Sequence, residues 1–552
     1  MDACALGLDF GTGSVRAVVV RVTDGRLLGA AVEPYTRGDG GVITRPSEPH
    51  LARQDPADLM ACLERCALKA LAAAERSDRA FRRDRVRGIG VDTTGSTPLP
   101  VDESLQSLAL DPAFRDDPAA LAWLWKDHTA AAEAAEITAA VRAAGRPWLT
   151  RCGGVYSPEW YWAKLLRAAR TSPAVTEAAA GWLELCDWIP AVLCGVDEPA
   201  EVRIGVCAAG HKGMFAADWG GWPEAGFLAS LHPRLADWRR SLPAAVSSAG
   251  QAAGLLAPSW QSRFGLEAVP VSVGALDAHL GAVGAGVRPG RLVKILGTST
   301  CDLSVGGERP VPAGIPGIAG VVEGSVLPGR TGIEAGQAAV GDLFAWWSRL
   351  LGGTDLDRLG EEAARLRPGE SGLLALDWNN GNRNILADPE LTGLLLGQTL
   401  ATGPVEVFRA LVEATAFGAR TILERLEEHA VPVRELVAAG GIAGRSAFLL
   451  QVYADVLGRP IAVAASPEAC ALGAAICGAA AAGLGGVEEL AAAMVPPPAR
   501  EFAPNPAAAA VYERLYALYR RLHDHFGGVA AVDLSTVMKE LLALRREAAG
   551  AA

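Results

Sequence analysis

A strand, a tight turn of glycine and short hydroxyl residues, and a second β-branched strand occur twice in this chain, once in each half. Residues 5–22 read ALGLDFGTGSVRAVVVRV and residues 291–305 read RLVKILGTSTCDLSV. A turn of this composition leaves its backbone N–H groups open, with no bulky side chain in front of them. That surface suits a phosphate. Two of them, on opposite halves, predict a nucleoside triphosphate gripped in a cleft between duplicated domains.

With 552 residues, 50% of them hydrophobic and 20% charged, the chain can bury the cores of several domains. Its net charge of −11 argues against nucleic acid as a partner. A nucleotide remains open, because Mg²⁺ and local amides can hold phosphates in an acidic protein. The ten cysteines show no CxxC pair and no zinc-finger spacing, which predicts reduced, buried thiols in a cytoplasmic protein. No basic-then-apolar leader opens the sequence. The most membrane-like run, ACALGAAICGAAAAG at 469–483, is short and made largely of Ala and Gly. It predicts a buried helix packed closely on a neighbour rather than a membrane span.

Strand and helix patterns alternate in both halves, giving an α/β reading with two domains. Helices are expected over 56–76, 118–143, 158–171, 182–194, 336–351 and 404–429. Residues 435–464 read as strand, Gly-rich turn, helix, strand. The Pro/Ala/Ser-rich stretch 240–262 suggests a boundary, so the expected domains are 1–265, 266–505 and a helical tail, 506–552. The Tyr/Leu stripe over 511–526 is expected to pack on its own domain, the alternative being a second copy in a homodimer.

Several residues stand out chemically. Asp9 precedes the first turn, and a carboxylate beside a phosphate turn needs a cation between them. Asp9 is therefore a candidate Mg²⁺ anchor, or else a cap on the turn. Asp277 interrupts the small-residue stretch GALDAHLGAVGAG, where it could accept the proton of an attacking sugar hydroxyl or cap a helix. The segment WLWKDHT at 123–129 sets indole rings beside Lys126, Asp127 and His128, a composition that suits a sugar site. Lys212 and Glu334 are isolated charges among small residues, with surface exposure the alternative. AAGGIAGRS at 438–446 permits close approach of a ribose or flat ring. Neither GxGxxG nor GxxxxGK[ST] spacing occurs, so neither a dinucleotide fold nor a P-loop is supported.

LDFGTGSVRAV, GALDAHLGAVGAG, the GTST hairpin and AAGGIAGRS together, in this order, resemble the FGGY carbohydrate kinases, and GLLLGQTLATGPVEVFRALVEATAFGAR (393–420) resembles their C-terminal signature. Gln398 stands there in place of the usual aliphatic residue. The resemblance implies two duplicated actin/hexokinase-like (ribonuclease H-like) domains with an interdomain cleft that closes on substrate. GVDTTGSTPLPVD, LWKDHTAAAEAAEIT, GGVYSPEWYWAKLL and GHKGMF narrow it toward members that phosphorylate L-ribulose to L-ribulose 5-phosphate in L-arabinose catabolism. Thr129 follows His128 where members acting on D-ribulose carry Arg. Another ketopentose or pentitol kinase is the alternative. Further from it stand a non-catalytic actin- or chaperone-like ATP switch and a metabolite-binding regulator, the latter without a recognisable DNA-binding module.

By resemblance, Asp277 is the general base, and Lys212, Glu334, Gly95, Asp127 and His128 line the sugar. Thr12, Gly13, Ser14, Gly297, Thr298 and Ser299 face the phosphates of ATP. Gly440, Gly441 and Ile442 lie along adenosine, and Asp9 serves Mg²⁺. No membrane or nucleic-acid partner is implied.

Overall fold

The computed structural model describes residues 2–550. It forms two compact units that interleave along the chain. One comprises Met1–Val287, Gly320–Ile333 and Glu468–Pro496; the other comprises Arg288–Ala319, Glu334–Pro467 and Pro497–Ala552.

The first unit is organised by a sheet whose strands run in the order Ala252–Leu255, Pro270–Ser272, Val86–Thr93, Cys4–Phe10, Ser14–Arg21, Leu27–Pro34. The sequence hairpin pairs Phe10 with Val15 across the three-residue turn Gly11–Gly13, and Cys4–Phe10 runs parallel to Val86–Thr93. Strands sandwiched on both faces read as continuous apolar runs rather than alternating ones. Cys4–Phe10 is accordingly buried throughout. Helix Pro56–Ser77 starts at Asp55, whose side chain accepts from the Ala57 N–H, and has Pro56 in its first turn. Its Leu59, Cys62, Leu63, Cys66 and Leu71 face is buried on the hairpin and its neighbour strand.

The run 469–483 does form a buried helix, Ala469–Ala481. It lies backbone-to-backbone on the sheet. A Cβ added at Gly7, Gly88 or Gly90 would fall 1.9, 2.0 or 1.7 Å from the carbonyl oxygen of Ala471, Gly478 or Ala474. The same helix meets helix Asp277–Gly284 as closely, since a Cβ at Gly473 would lie 1.8 Å from the Leu280 oxygen. This glycine-mediated contact draws residues 468–496 into the first unit. No described helix is long and apolar enough to cross a membrane.

The second unit repeats the theme. Hairpin strands Arg291–Leu296 and Thr300–Val305 are joined by a three-residue turn, and the first runs parallel to Glu435–Ala439. Ile461–Val463 and then Arg500–Phe502 follow in the sheet. Helix Pro404–Glu428 is buried along most of its length. On helix Pro506–Phe526 the Tyr512, Leu515, Tyr516, Tyr519 and Leu522 stripe is buried within this unit, against Phe417 and Glu413. The stripe therefore packs on its own domain.

Three expected elements differ. Residues 118–130 are loop with the short strand Ala122–Trp123, and the helix begins only at Ala131, because buried bonds from Arg53 and Lys164 pull this segment into an extended path. Residues 181–184 form a strand paired with Pro98–Val101 before helix Leu185–Cys194 starts. Residues 240–262, expected between the halves, supply the edge strand Ala252–Leu255 and part of helix Pro258–Phe264 to the first unit. Pairing with Pro270–Ser272 gives that strand its place.

Candidate active site

In the first unit the Gly11–Gly13 turn is tied from behind. Gly11 N–H donates to the Ser14 oxygen at 3.0 Å, and the Gln54 amide donates to the oxygens of Gly11 (3.2 Å) and Thr12 (2.9 Å). The Trp125 indole N–H donates to Thr12 Oγ1 at 3.0 Å. Thr12, Gly13 and Ser14 each remain partly exposed.

Behind this turn, at the carboxyl ends of neighbouring parallel strands, stand three carboxylates. Asp9 pairs in register with Asp92, and Asp92 with Ala275, two residues before Asp277. Asp9 is 3% exposed and accepts from Arg16 at 3.2 Å; Arg16 also reaches Glu468 at 3.5 Å. Asp92 is fully buried, and neither of its oxygens finds a hydrogen-bond donor. Burial raises the Asp9 pKa, with Arg16 opposing. Burial raises that of Asp92 well above the carboxylate range, reinforced by the charges of Asp9 and Asp277. Buried acceptors without donors beside a phosphate-type turn are what a divalent cation requires, so the residues present fit Mg²⁺.

Asp277 is half-buried, opens helix Asp277–Gly284 and accepts from the Ala278 N–H at 2.7 Å. Gly95 adjoins it, since a Cβ on Gly95 would meet Leu276 Cδ2 at 1.9 Å. Lys212 ends helix Val206–Lys212, largely buried, with its ammonium 5.5 Å above the Trp160 ring. The adjacent His211 ring lies 4.5 Å from that of His279, which holds the Lys212 helix against the Asp277 helix. Asp9, Gly95, Lys212 and Asp277 are thus assembled in one unit.

Asp127 behaves differently. It is fully buried and accepts from the Ala52 N–H at 2.7 Å, from the Arg53 guanidinium, and from the Thr129 N–H and hydroxyl. Burial pushes the Arg53 pKa down to about 10 against the pull of Asp127. Asp127 therefore braces the loop that presents Trp125, while the half-exposed His128 pairs with Glu159 at 3.0 Å.

A buried lysine joins this loop to the one bearing Gly95. Lys164 donates to the carbonyls of Ser96, Leu124 and Trp123 at 2.7, 2.9 and 3.1 Å. Glu184 accepts from the Ser96 hydroxyl and from the Thr97 N–H. Burial lowers the Lys164 pKa to about 8. An unfolded lysine titrates near 10.4, so between about pH 8 and 10.4 the unfolded chain takes up a proton that the folded one lacks. Stability contributed through this group therefore rises with pH across that window. Relative to Lys164→Met, the wild type is expected to gain about 3 kcal/mol there, measured by chemical denaturation at stepped pH.

In the second unit the Gly297–Ser299 turn sits on the start of helix Gly341–Leu350. The Gly297 oxygen accepts from the Gly341 N–H at 3.1 Å, and the Thr298 oxygen from Val340 and Asp342 at 2.9 and 3.1 Å. Gly440 adopts φ +92° beside it, where a Cβ would lie 2.6 Å from the Leu296 oxygen. Ile442 borders the same turn, with its Cδ1 3.0 Å from the space a Cβ on Gly341 would fill. Gly297, Thr298, Gly440 and Gly441 are exposed, and Ser299 partly so. Beneath the hairpin Lys294 pairs with Asp302 at 2.7 Å, and Gln337 donates to Asp377 at 2.7 Å. Glu334 lies on strand Thr331–Ala335, 9% exposed.

The model for the N-terminal domain of the FGGY family of carbohydrate kinases matches residues 4–284, and that for the C-terminal domain matches 292–482. The chain belongs to the FGGY family of carbohydrate kinases. This FGGY kinase is 39% identical over 550 residues to a ribulokinase of Vibrio parahaemolyticus, covering 95% of this chain and 96% of that protein. It is also 39% identical to a ribulokinase of Bacillus licheniformis, covering 96% and 97%. Among solved structures it resembles the xylulose kinase of Rhodospirillum rubrum (TM-score 0.74, 26% identity, 95% of this chain and 99% of that one). The glycerol kinase of Plasmodium falciparum shares the fold at 14% identity (TM-score 0.75, 94% and 98% covered). As an FGGY kinase the protein is an ATP-dependent sugar kinase with the two-domain, actin-like fold that the family resemblance implied.

Sequence reading passed over Asp92 and Gln54, and read the Trp125 indole as a sugar-site ring without its bond to Thr12. Asp92 carried a signal, as the one acidic residue in the apolar strand VRGIGVDT. Gln54 carried none, because its role depends on which turn it packs behind.

Proposed function

We propose that this kinase transfers the γ-phosphoryl group of ATP to O5 of L-ribulose, giving ADP and L-ribulose 5-phosphate, the phosphorylation step of L-arabinose catabolism. The observation that carries the reading is Asp277 itself, a half-buried carboxylate at a strand end, beside Gly95 and near Lys212. The choice of sugar is supported by near full-length identity to proteins named ribulokinase. Ten cysteines, mostly buried, suit action in the reducing cytoplasm.

Asp277 accepts the O5 proton as O5 attacks phosphorus in line. Lys212 and Glu334 bind the ketopentose hydroxyls, and Gly95 leaves room for the sugar. Asp127 and His128 act by positioning the Trp125 loop. Thr12, Gly13, Ser14, Gly297, Thr298 and Ser299 present amides and hydroxyls to phosphate oxygens, and Gly440, Gly441 and Ile442 pack along adenosine. When bound at Asp9, Mg²⁺ supplies charge neutralisation for the phosphates.

A coupled ADP-release assay over L-ribulose, D-ribulose, L- and D-xylulose and the pentitols tests the assignment. The expected result is the highest kcat/KM with L-ribulose. A tenfold preference for any other sugar would replace the substrate, and no sugar-stimulated ADP release at all would favour an ATP-driven switch.

A further inference from the structure

The geometry points to Asp92 as a second protein carboxylate, beside Asp9, for the divalent cation that accompanies the nucleotide. This rests on the kinase reading above and adds to it a residue to which no role has yet been given.

Asp9 and Asp92 are register partners on adjacent parallel strands. Such partners project to the same face, from strands about 4.8 Å apart. Two carboxylates at that spacing can each place an oxygen at the roughly 2.1 Å that Mg²⁺ demands. Both lie at the strand ends next to the Gly11–Gly13 turn, where Phe10 is followed by the exposed part of the hairpin.

Asp92 is fully buried, yet neither oxygen receives an N–H or O–H. Asp187, buried elsewhere in the same unit, accepts the Gly205 N–H at 2.7 Å, and Glu184 accepts Thr97 at 2.7 Å. The fold thus supplies N–H or hydroxyl donors to its structural acids, whereas Asp92 faces only a second carboxyl group, that of Asp9. Arg16 does not fill the gap. Its guanidinium bonds Asp9 at 3.2 Å, approaches Glu468 at 3.5 Å, and keeps 38% of its side chain exposed. One guanidinium therefore faces three carboxylates. A Thr or Asn would fill the same volume without the cost of burying a second acid beside Asp9. A carboxylate is worth that penalty where a cation completes the site.

The test measures how far Mn²⁺ tightens ADP binding to the full chain, by calorimetry with and without the metal, in wild type and in Asp92→Asn. In the wild type Mn²⁺ should tighten ADP. In Asp92→Asn that gain should fall at least tenfold, with metal-free ADP affinity and far-UV dichroism unchanged. The metal-free melting temperature should hold or rise, because the amide keeps the side chain's volume and removes the cost of burying an acid. Asp92→Ser guards against misfolding of the first variant and should behave alike. An undiminished Mn²⁺ gain in either folded variant overturns the assignment to Asp92 alone. No Mn²⁺ effect on ADP in the wild type would overturn the metal-nucleotide reading at Asp9 as well.

Discussion

Asp277→Asn should lower kcat by on the order of 10²–10⁴-fold, the usual share of a general base, while sugar affinity and melting temperature stay close to wild type. The substitution keeps size, and the Asn oxygen can still accept the Ala278 N–H now held at 2.7 Å. Asn cannot take up the hydroxyl proton as O5 attacks. The two roles open to Asp277 in the sequence, base and helix cap, part here. Helix Asp277–Gly284 has Leu276 as its N-cap residue, so Asp277 sits in the first turn. There a carboxylate contributes about 0.3–1 kcal/mol through the helix dipole. A merely structural aspartate would thus show a small stability loss and near-normal turnover. Steady-state kinetics, sugar titration by calorimetry and a thermal melt separate the cases, and kcat within tenfold of wild type would remove Asp277 as the base.

Gly90→Val should abolish the folded first unit, or destabilise it by about 3 kcal/mol or more. Intrinsic strand preference points the other way, since valine suits an extended strand better than glycine by about 1 kcal/mol. Packing decides, because the first added carbon would lie 1.7 Å from the Ala474 oxygen, and that oxygen belongs to helix backbone that cannot rotate aside. Helix Ala469–Ala481 would have to retreat from the sheet. It would lose contacts at Gly7 and Gly88 together, and its grip on helix Asp277–Gly284 through Gly473. Activity should therefore disappear with stability. Gly360→Ala is the control: that helical glycine has nothing within 4 Å, and alanine should stabilise by up to about 1 kcal/mol. Soluble yield and denaturant melts of both variants check this, and a Gly90→Val protein within 1 kcal/mol of wild type would refute the rigid contact.

Both expectations show where sequence reading reached and where it stopped. The two hairpins were legible because a short turn is a local matter: glycine and small hydroxyls leave a strand no other compact way to reverse. Helix 469–481 was legible as buried and closely packed, since a run of Ala and Gly has little else to bury. Asp277 and Lys212 were visible as charges among small neighbours. Asp127 was visible too, but its confinement was not. That comes from Arg53 and Ala52, some seventy-five residues earlier, and contact at that separation leaves no local mark.

By itself, then, the sequence determined two phosphate-type hairpins and the alternation of strand and helix around each, both consequences of steric preference and periodicity over short spans, while Asp277 as base followed only from the family resemblance. Only the tertiary structure decided which segments share a body. Residues 468–496 join the N-terminal sheet because backbone meets backbone at Gly7, Gly88 and Gly90. It alone decided that Asp92 stands beside Asp9 without a donor, and that Lys164 fastens two loops with one ammonium. These are pairings between residues far apart in the chain, fixed by close packing and by the demand that buried polar groups be matched, and neither acts until the chain has folded.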